Sequence, residues 1–224
     1  MDFSPIYFLF VWIVLSSLSK AEMNNELRTL ALNLHNQIRS TVALGNAPNN
    51  DGSNLPKAAN MYKLTYSKLI ERYAQDLADS CDFEHRQFNE TLNNLYKTSS
   101  TRGFSDPGQA IRGAVNLWYA DLETDGQNSL ILDGTNYNHF TQVIWAGVKE
   151  IGCGIANCER MTSTSNKPGF FHTYVVCNYW PAGNVVLQQI YEAGNTPASN
   201  CPSGSNANKQ TGLCEIEGRS DIHG

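Results

Sequence analysis

Six cysteines, Cys81, Cys153, Cys158, Cys177, Cys201 and Cys214, constrain this chain more than any other feature. All lie downstream of an apolar leader, and their number is even. An even set in a chain that has passed through an oxidising compartment reads as three disulfides, with the pairing left open by the sequence. A metal site is the rival reading. Cys153 and Cys158 are close in sequence, but no second close cysteine pair stands at zinc-ligand spacing, which weighs against it. The leader is Ile6 to Leu15, an unbroken apolar run followed by small and polar residues. It is too short to span a bilayer comfortably and fits the core of a secretory signal peptide. Ser19 and Ala21 suit cleavage before Glu22, although the segment ahead of the core carries Asp2 and no base. The expected product is secreted and extracellular, with no transmembrane segment in the mature chain.

The net charge is -5, and removal of residues 1–21 takes away one acid, Asp2, and one base, Lys20. A mildly acidic chain with interspersed charges argues against nucleic acid as a partner. About 200 mature residues suffice for one domain with a real core. The expected division is a signal peptide over 1–21, one domain over 22–194, a short cysteine-closed tail over 195–214 and a disordered C-terminus over 215–224. Ile216-Glu-Gly-Arg219 also matches a protease-tag sequence. Asn89-Glu90-Thr91 is a glycosylation sequon and implies a surface loop, so the chain is expected to be a glycoprotein.

Leu27, Leu30, Ala31, Leu34 and Ile38 recur at helical spacing and predict a first helix over 24–43. Ser67 can cap a second, with Leu69, Tyr73, Ala74, Leu77 and Cys81 inward. Asp106-Pro107 opens a third, with Ala110, Ala114, Leu117, Trp118 and Asp121 inward. A short fourth helix is expected around 137–145. Segments 152–156, 170–179 and 185–191 then have the β-branched and aromatic bias of strands, with 160–169 and 180–184 as hairpin connections. Helices first and strands later imply an α+β domain with a helix-covered antiparallel sheet.

Two segments are more specific. One is His139-Phe-Thr-Gln-Val-Ile-Trp145, followed by Gly152-Cys153-Gly154. The other is Tyr174-Val-Val-Cys-Asn-Tyr-Trp-Pro-Ala-Gly-Asn184. Together they resemble the two signature motifs of the CAP superfamily (SCP/TAPS), which includes cysteine-rich secretory, antigen-five and pathogenesis-related-one proteins. His35-Asn36-x-x-Arg39, Cys81-x-x-x-His85 and Trp118-Tyr119 fall in the family's order. The likeness covers about residues 26–200 and is greatest to the activation-associated and venom-allergen-like secreted proteins of nematodes. It implies a three-layer α-β-α sandwich stapled by Cys81–Cys158, Cys153–Cys177 and Cys201–Cys214.

The resemblance also implies a cleft with two histidines and two acids, able in some members to hold a divalent metal. The histidine positions map onto His85 and His139. The acidic positions are degenerate, because one reads Asn93 and the other Asp121 where Glu is expected. His85, His139 and Asp121 could form a three-ligand zinc site in principle. Yet Asp is shorter than Glu, Asn93 carries no charge, and Glu90 lies three positions early as a substitute. The expectation is no cofactor, or weak binding of zinc or another divalent metal.

No catalytic residue is assigned. Ser129 and Thr141 lie near histidines only in sequence, and neither Gly-x-Ser-x-Gly nor His-Glu-x-x-His occurs. His35 is expected to be structural, in a buried network with Asn36 and Arg39, and His172 an ordinary half-buried strand residue. The resemblance implies a non-enzymatic, venom-allergen-like effector or binding protein whose partner is an extracellular protein receptor. The alternative is a sterol or fatty-acid carrier. A metal-dependent hydrolase stands third, opposed by Asn93 and Asp121.

Overall fold

Short polar side chains start all four helices of the described residues. Asn24 accepts from Leu27 N at 2.9 Å and opens α1, Asn25–Ala43. Ser67 accepts from Ile70 N and opens α2, Lys68–Asp79. Asp106, with Pro107 behind it, opens α3, Pro107–Thr124. Asn138 caps α4, His139–Ile144. Each cap accepts a bond from a first-turn amide that has no intrahelical partner. The computed structural model describes residues 21–136 and 138–224. The leader therefore falls outside the described residues, apart from Ala21.

The described residues form seven strands, β1 (Thr65–Ser67), β2 (Leu92–Ser100), β3 (Glu150–Cys158), β4 (Phe171–Trp180), β5 (Ser205–Asn208), β6 (Leu213–Ile216) and β7 (Ile222–His223). The main sheet runs β2-β4-β3-β1-β7, and β5 and β6 form a separate hairpin. Strands β2, β4 and β3 are antiparallel, as expected. The short strand β1 pairs parallel with both β3 and β7, so the sheet is mixed at that edge.

Alternation along the long strands builds two cores. Ile151, Cys153, Ile155, Val175, Cys177 and Tyr179 pack with α1, α3 and α4. Tyr174, Val176, Leu95 and Ala156 pack with α2 on the other face. This is the α-β-α sandwich. The glycines of the first motif have a physical reason. A β-carbon at Gly152 would stand 2.1 Å from Glu71 N, and one at Gly154 would stand 2.4 Å from Gln75 N. Helix α2 therefore lies directly on β3, and Gln75 bonds both N and O of Ile155.

Three disulfides form, Cys81–Cys158, Cys153–Cys177 and Cys201–Cys214, across separations of 77, 24 and 13 residues. On a chain-entropy estimate they contribute about 4.5, 3.4 and 3 kcal/mol. The first ties the end of α2 to β3, and the second joins directly paired residues of β3 and β4.

Arg39 is fully buried in the α1 core. Its guanidinium donates to the carbonyls of Tyr62, Val143, Trp145, Ala146 and Val148. Burial lowers its pKa to about 9, so it stays charged at neutral pH. His35 is also buried, but its bonds run to Ala31 O and the Tyr179 hydroxyl. Asn36 instead bonds N and O of Leu64. The three residues thus serve separate contacts rather than one network.

Several expectations need correction. Leu69 and Leu117 are 47% and 51% exposed. On α2 the buried stripe is Ile70, Ala74, Leu77 and Ala78, one position round from Leu69. On α3, Ile111, Val115 and Leu122 replace Leu117 in the stripe. Segment 185–191 is a loop carrying the isolated bridge Ile131↔Gln189 rather than a strand, so 180–184 is no hairpin connection. The connection at 160–169 does join antiparallel β3 and β4. His172 is 3% exposed, with Nδ1 2.7 Å from Ser99 Oγ. Residues 215–224, expected to be disordered, contain the end of β6 and all of β7. There Lys63 pairs with Asp221, and Arg219 pairs with the buried Glu150. Ion pairing and edge-strand pairing give this polar segment an ordered place that its composition conceals.

Candidate binding cleft

His85, Asn93, Asp121 and His139 come together at one end of the sandwich. They line a cleft of about 410 Å³ with Leu92, Asn94, Asp125, Asn138 and Asn184. Each functional side chain reaches it from a different element. Asn93 stands near the start of β2, Asp121 in the last turns of α3, and His139 at the first position of α4. His85 lies on the loop after α2, beyond the Cys81–Cys158 bridge that anchors that loop.

The two imidazoles are held in parallel ways. His85 Nδ1 lies 2.7 Å from Asn93 Oδ1, while Asn93 Nδ2 donates to Arg86 O. The amide oxygen can only accept, so His85 Nδ1 carries the proton. His139 Nδ1 lies 3.0 Å from Asp121 Oδ2, and His139 N donates to the same oxygen at 2.9 Å. Again Nδ1 donates. When neutral, both rings therefore present an Nε2 lone pair. The polypeptide carbonyl of His139 accepts from Asn94 Nδ2, which also donates to the Tyr179 hydroxyl. Tyr179 in turn contacts His35 Nε2 at 2.8 Å, a buried polar chain from α1 to the cleft.

Asn138 and Asn184 were not singled out by sequence reasoning. Thr141 Oγ1 accepts from Asn138 N and stands 2.8 Å from Asn184 Oδ1. Asn184 also donates to Asn138 O. The signals were present: Asn138 stands at the cap position before His139, and Asn184 closes the second motif. Thr141 is thus a cap and packing hydroxyl rather than a nucleophile beside a histidine. Ser129 Oγ exchanges bonds with Ile131 backbone and does not line the cleft. Glu90 is exposed and absent from the lining, so it does not replace the acid lost at Asn93. The sequon residue Asn89 is exposed in a turn at φ 41°.

A tight zinc site takes three protein donors with defined geometry. Among the described residues, no three His, Cys, Asp or Glu side chains are grouped to hold a metal. Asp121 Oδ2 already accepts two bonds from His139, and Asn93 offers a neutral amide. The residues present do not fit a tight three-ligand site. Asp121 acts instead as the group that orients His139, a role carboxylates often take behind an imidazole.

An α-β-α sandwich with three disulfides and a paired-histidine cleft defines a class of disulfide-stapled scaffold. Residues 32–179 match the family model described as the cysteine-rich secretory protein family, and the chain belongs to that CAP family. It is 31% identical over 207 residues to the Ancylostoma secreted protein of Ancylostoma caninum, covering 88% of this chain and 46% of that protein. It is 33% identical to Scoloptoxin SSD552 of Scolopendra dehaani, covering 86% of this chain and 85% of the relative. The chain thus spans about half the length of the first relative and most of the second. A solved structure titled NaASP2 with Zn2+ is similar at 34% identity and TM-score 0.75, covering 86% of this chain and 96% of that one.

Proposed function

We propose that this chain is a secreted, non-enzymatic binding protein, an effector of venom-allergen-like type that acts on an extracellular protein receptor. The family match and its secreted, venom and salivary relatives support an extracellular role. One observation carries the non-enzymatic reading. Among the described residues, the cleft is lined by His, Asn, Asp and Leu, with no hydroxyl or thiol, and the six cysteines are all in disulfides. Hydrolysis of the serine or cysteine type needs such a group beside the histidine. Among the described residues, no helix is long and apolar enough to cross a membrane. Asn89 is proposed to carry a glycan on this secreted form.

The test is turnover and cell binding by protein secreted from cultured eukaryotic cells. Peptide and ester substrates should give no turnover, with or without zinc, and labelled protein should bind animal cells saturably. Turnover abolished by His139→Ala would overturn the proposal. A lipid carrier is the second reading; the groove of about 1030 Å³ between α1 and α3 offers it Leu27, Leu30 and Leu34, in a wall that also holds Glu26, Asp106 and Arg112. Organic extraction of the purified protein, followed by mass spectrometry for stoichiometric sterol or fatty acid, decides it.

A further inference from the structure

The loop that leaves the cleft at Asn184 carries three exposed apolar side chains in succession, Val185, Val186 and Leu187, at 39%, 51% and 79% exposure. Beside it, Ile131 is 50% exposed. The two segments form a short ribbon. Leu187 N donates to Leu132 O, Leu132 N to Gln188 O, and Ile190 N to Leu130 O. Val186 lies over Gly134. Leu187 sits at φ 65°. A γ-branched side chain gains nothing from the left-handed region, and such strain concentrates at functional sites. The fold thus holds Leu187, the most exposed large apolar residue among the described residues, outward in a conformation that glycine would adopt freely.

Along the two stretches of sequence that carry this ridge, the charge has one sign. Residues 113–148 and 168–208 contain no Lys or Arg, but contain Asp121, Glu123, Asp125, Asp133 and Glu192. Asp133, inside the ribbon, has its carboxyl held below the usual range by backbone and hydroxyl bonds from Thr135. We infer that the Ile131–Val185–Val186–Leu187 ridge is a docking surface for a segment of a partner protein that is both apolar and basic. Charge complementarity selects this occupant. A second copy would bring acid against acid. An anionic bilayer would be repelled, and the ridge has no cation to hold lipid phosphate.

The inference rests on the reading of the chain as a binding protein and adds the chemistry of its partner. The probes are a Lys/Leu amphipathic peptide, a Glu/Leu peptide of equal length and phosphatidylcholine vesicles, each titrated against the mature protein. The Lys/Leu peptide alone should bind, more weakly at high salt. Val186→Ser with Leu187→Ser should weaken it at least tenfold, and Asp133→Asn should weaken it less. Leu187→Gly relieves the backbone strain, so it should raise Tm while weakening binding, which separates docking from folding. Four results overturn the inference: no binding of the Lys/Leu peptide, equal binding of the Glu/Leu peptide, vesicle binding, or a concentration-dependent dimer that the double substitution abolishes. Each leaves the turnover and cell-binding tests of the wider function standing.

Discussion

Asp121 Oδ2 accepts from two nitrogens of the same residue, the backbone N of His139 at 2.9 Å and its ring Nδ1 at 3.0 Å. One carboxylate oxygen thereby fixes both the start of α4 and the rotation of the imidazole. Nitrogen-15 NMR of the neutral ring should show proton occupancy at Nδ1. Asp121→Ala should release the ring into a tautomer mixture and cost about 1–2 kcal/mol, as expected for a charge-assisted bond at a partly exposed site. A single Nε2–H tautomer in the native protein would contradict this geometry.

The same bond limits metal affinity. Native protein should bind zinc weakly or not at all near neutral pH. Asn93→Glu with Asp121→Glu adds one negative charge and lengthens one arm, and should tighten binding at least tenfold, about 1.4 kcal/mol. Calorimetric titration of both proteins, with His139→Ala as control, reads this directly. Nanomolar zinc binding by the native protein, lost in the control, would show that the cleft is intact as it stands.

Acid stability should depend on His35. Burial lowers its pKa to about 4, against an ordinary value near 6.5, with the Ala31 carbonyl opposing and Arg39 adding to the shift. The unfolded chain then binds more protons than the folded one between these values. Stability is full above pH 6.5 and falls as pH drops toward 4, by about 3 kcal/mol in all. Urea unfolding across this range should show the loss, and His35→Phe should flatten it while lowering stability at neutral pH. An unchanged slope in that variant would place the acid sensitivity elsewhere.

Cys201→Ser with Cys214→Ser should leave the sandwich folded, at a cost of about 3 kcal/mol or less for a short loop. The damage should reach beyond the tail, because Cys214 exchanges backbone bonds with Met61 and Lys63 and is fully buried against Tyr62. Far-UV circular dichroism and hydrogen exchange at residues 61–63 test both parts. Global loss of helix signal at room temperature would make the tail integral to the fold.

The starts of α2 and α3 were readable because cap chemistry is local. Ser67 and Asp106 each accept a bond from a residue three positions on, and Pro107 cannot continue a helix backwards. Strand β2 was not readable. Leu92 to Ser100 is largely polar, and it is held by nine register pairs with β4 rather than by its own pattern. Leu69 and Ile70 are equally apolar, so only the position of β3 decides which one is buried. In the cleft, the histidines and altered acids were identifiable from the motifs. That Asp121 binds His139 rather than reaching past it depends on where α4 starts relative to α3, which no spacing encodes.

The carbonyl setting of Arg39 bears on how such a protein can change over time. Its acceptors belong to the main chain, so no acidic side chain has to be kept opposite it, and no compensating substitution is called for when neighbours drift. Two of those carbonyls, from Val143 and Trp145, hold the far end of the helix whose first residue is His139. The helix is therefore moored by a contact indifferent to side-chain identity. Cleft positions such as 93 and 121 can then exchange acid for amide, or a long carboxylate for a short one, without unmooring the backbone that presents them.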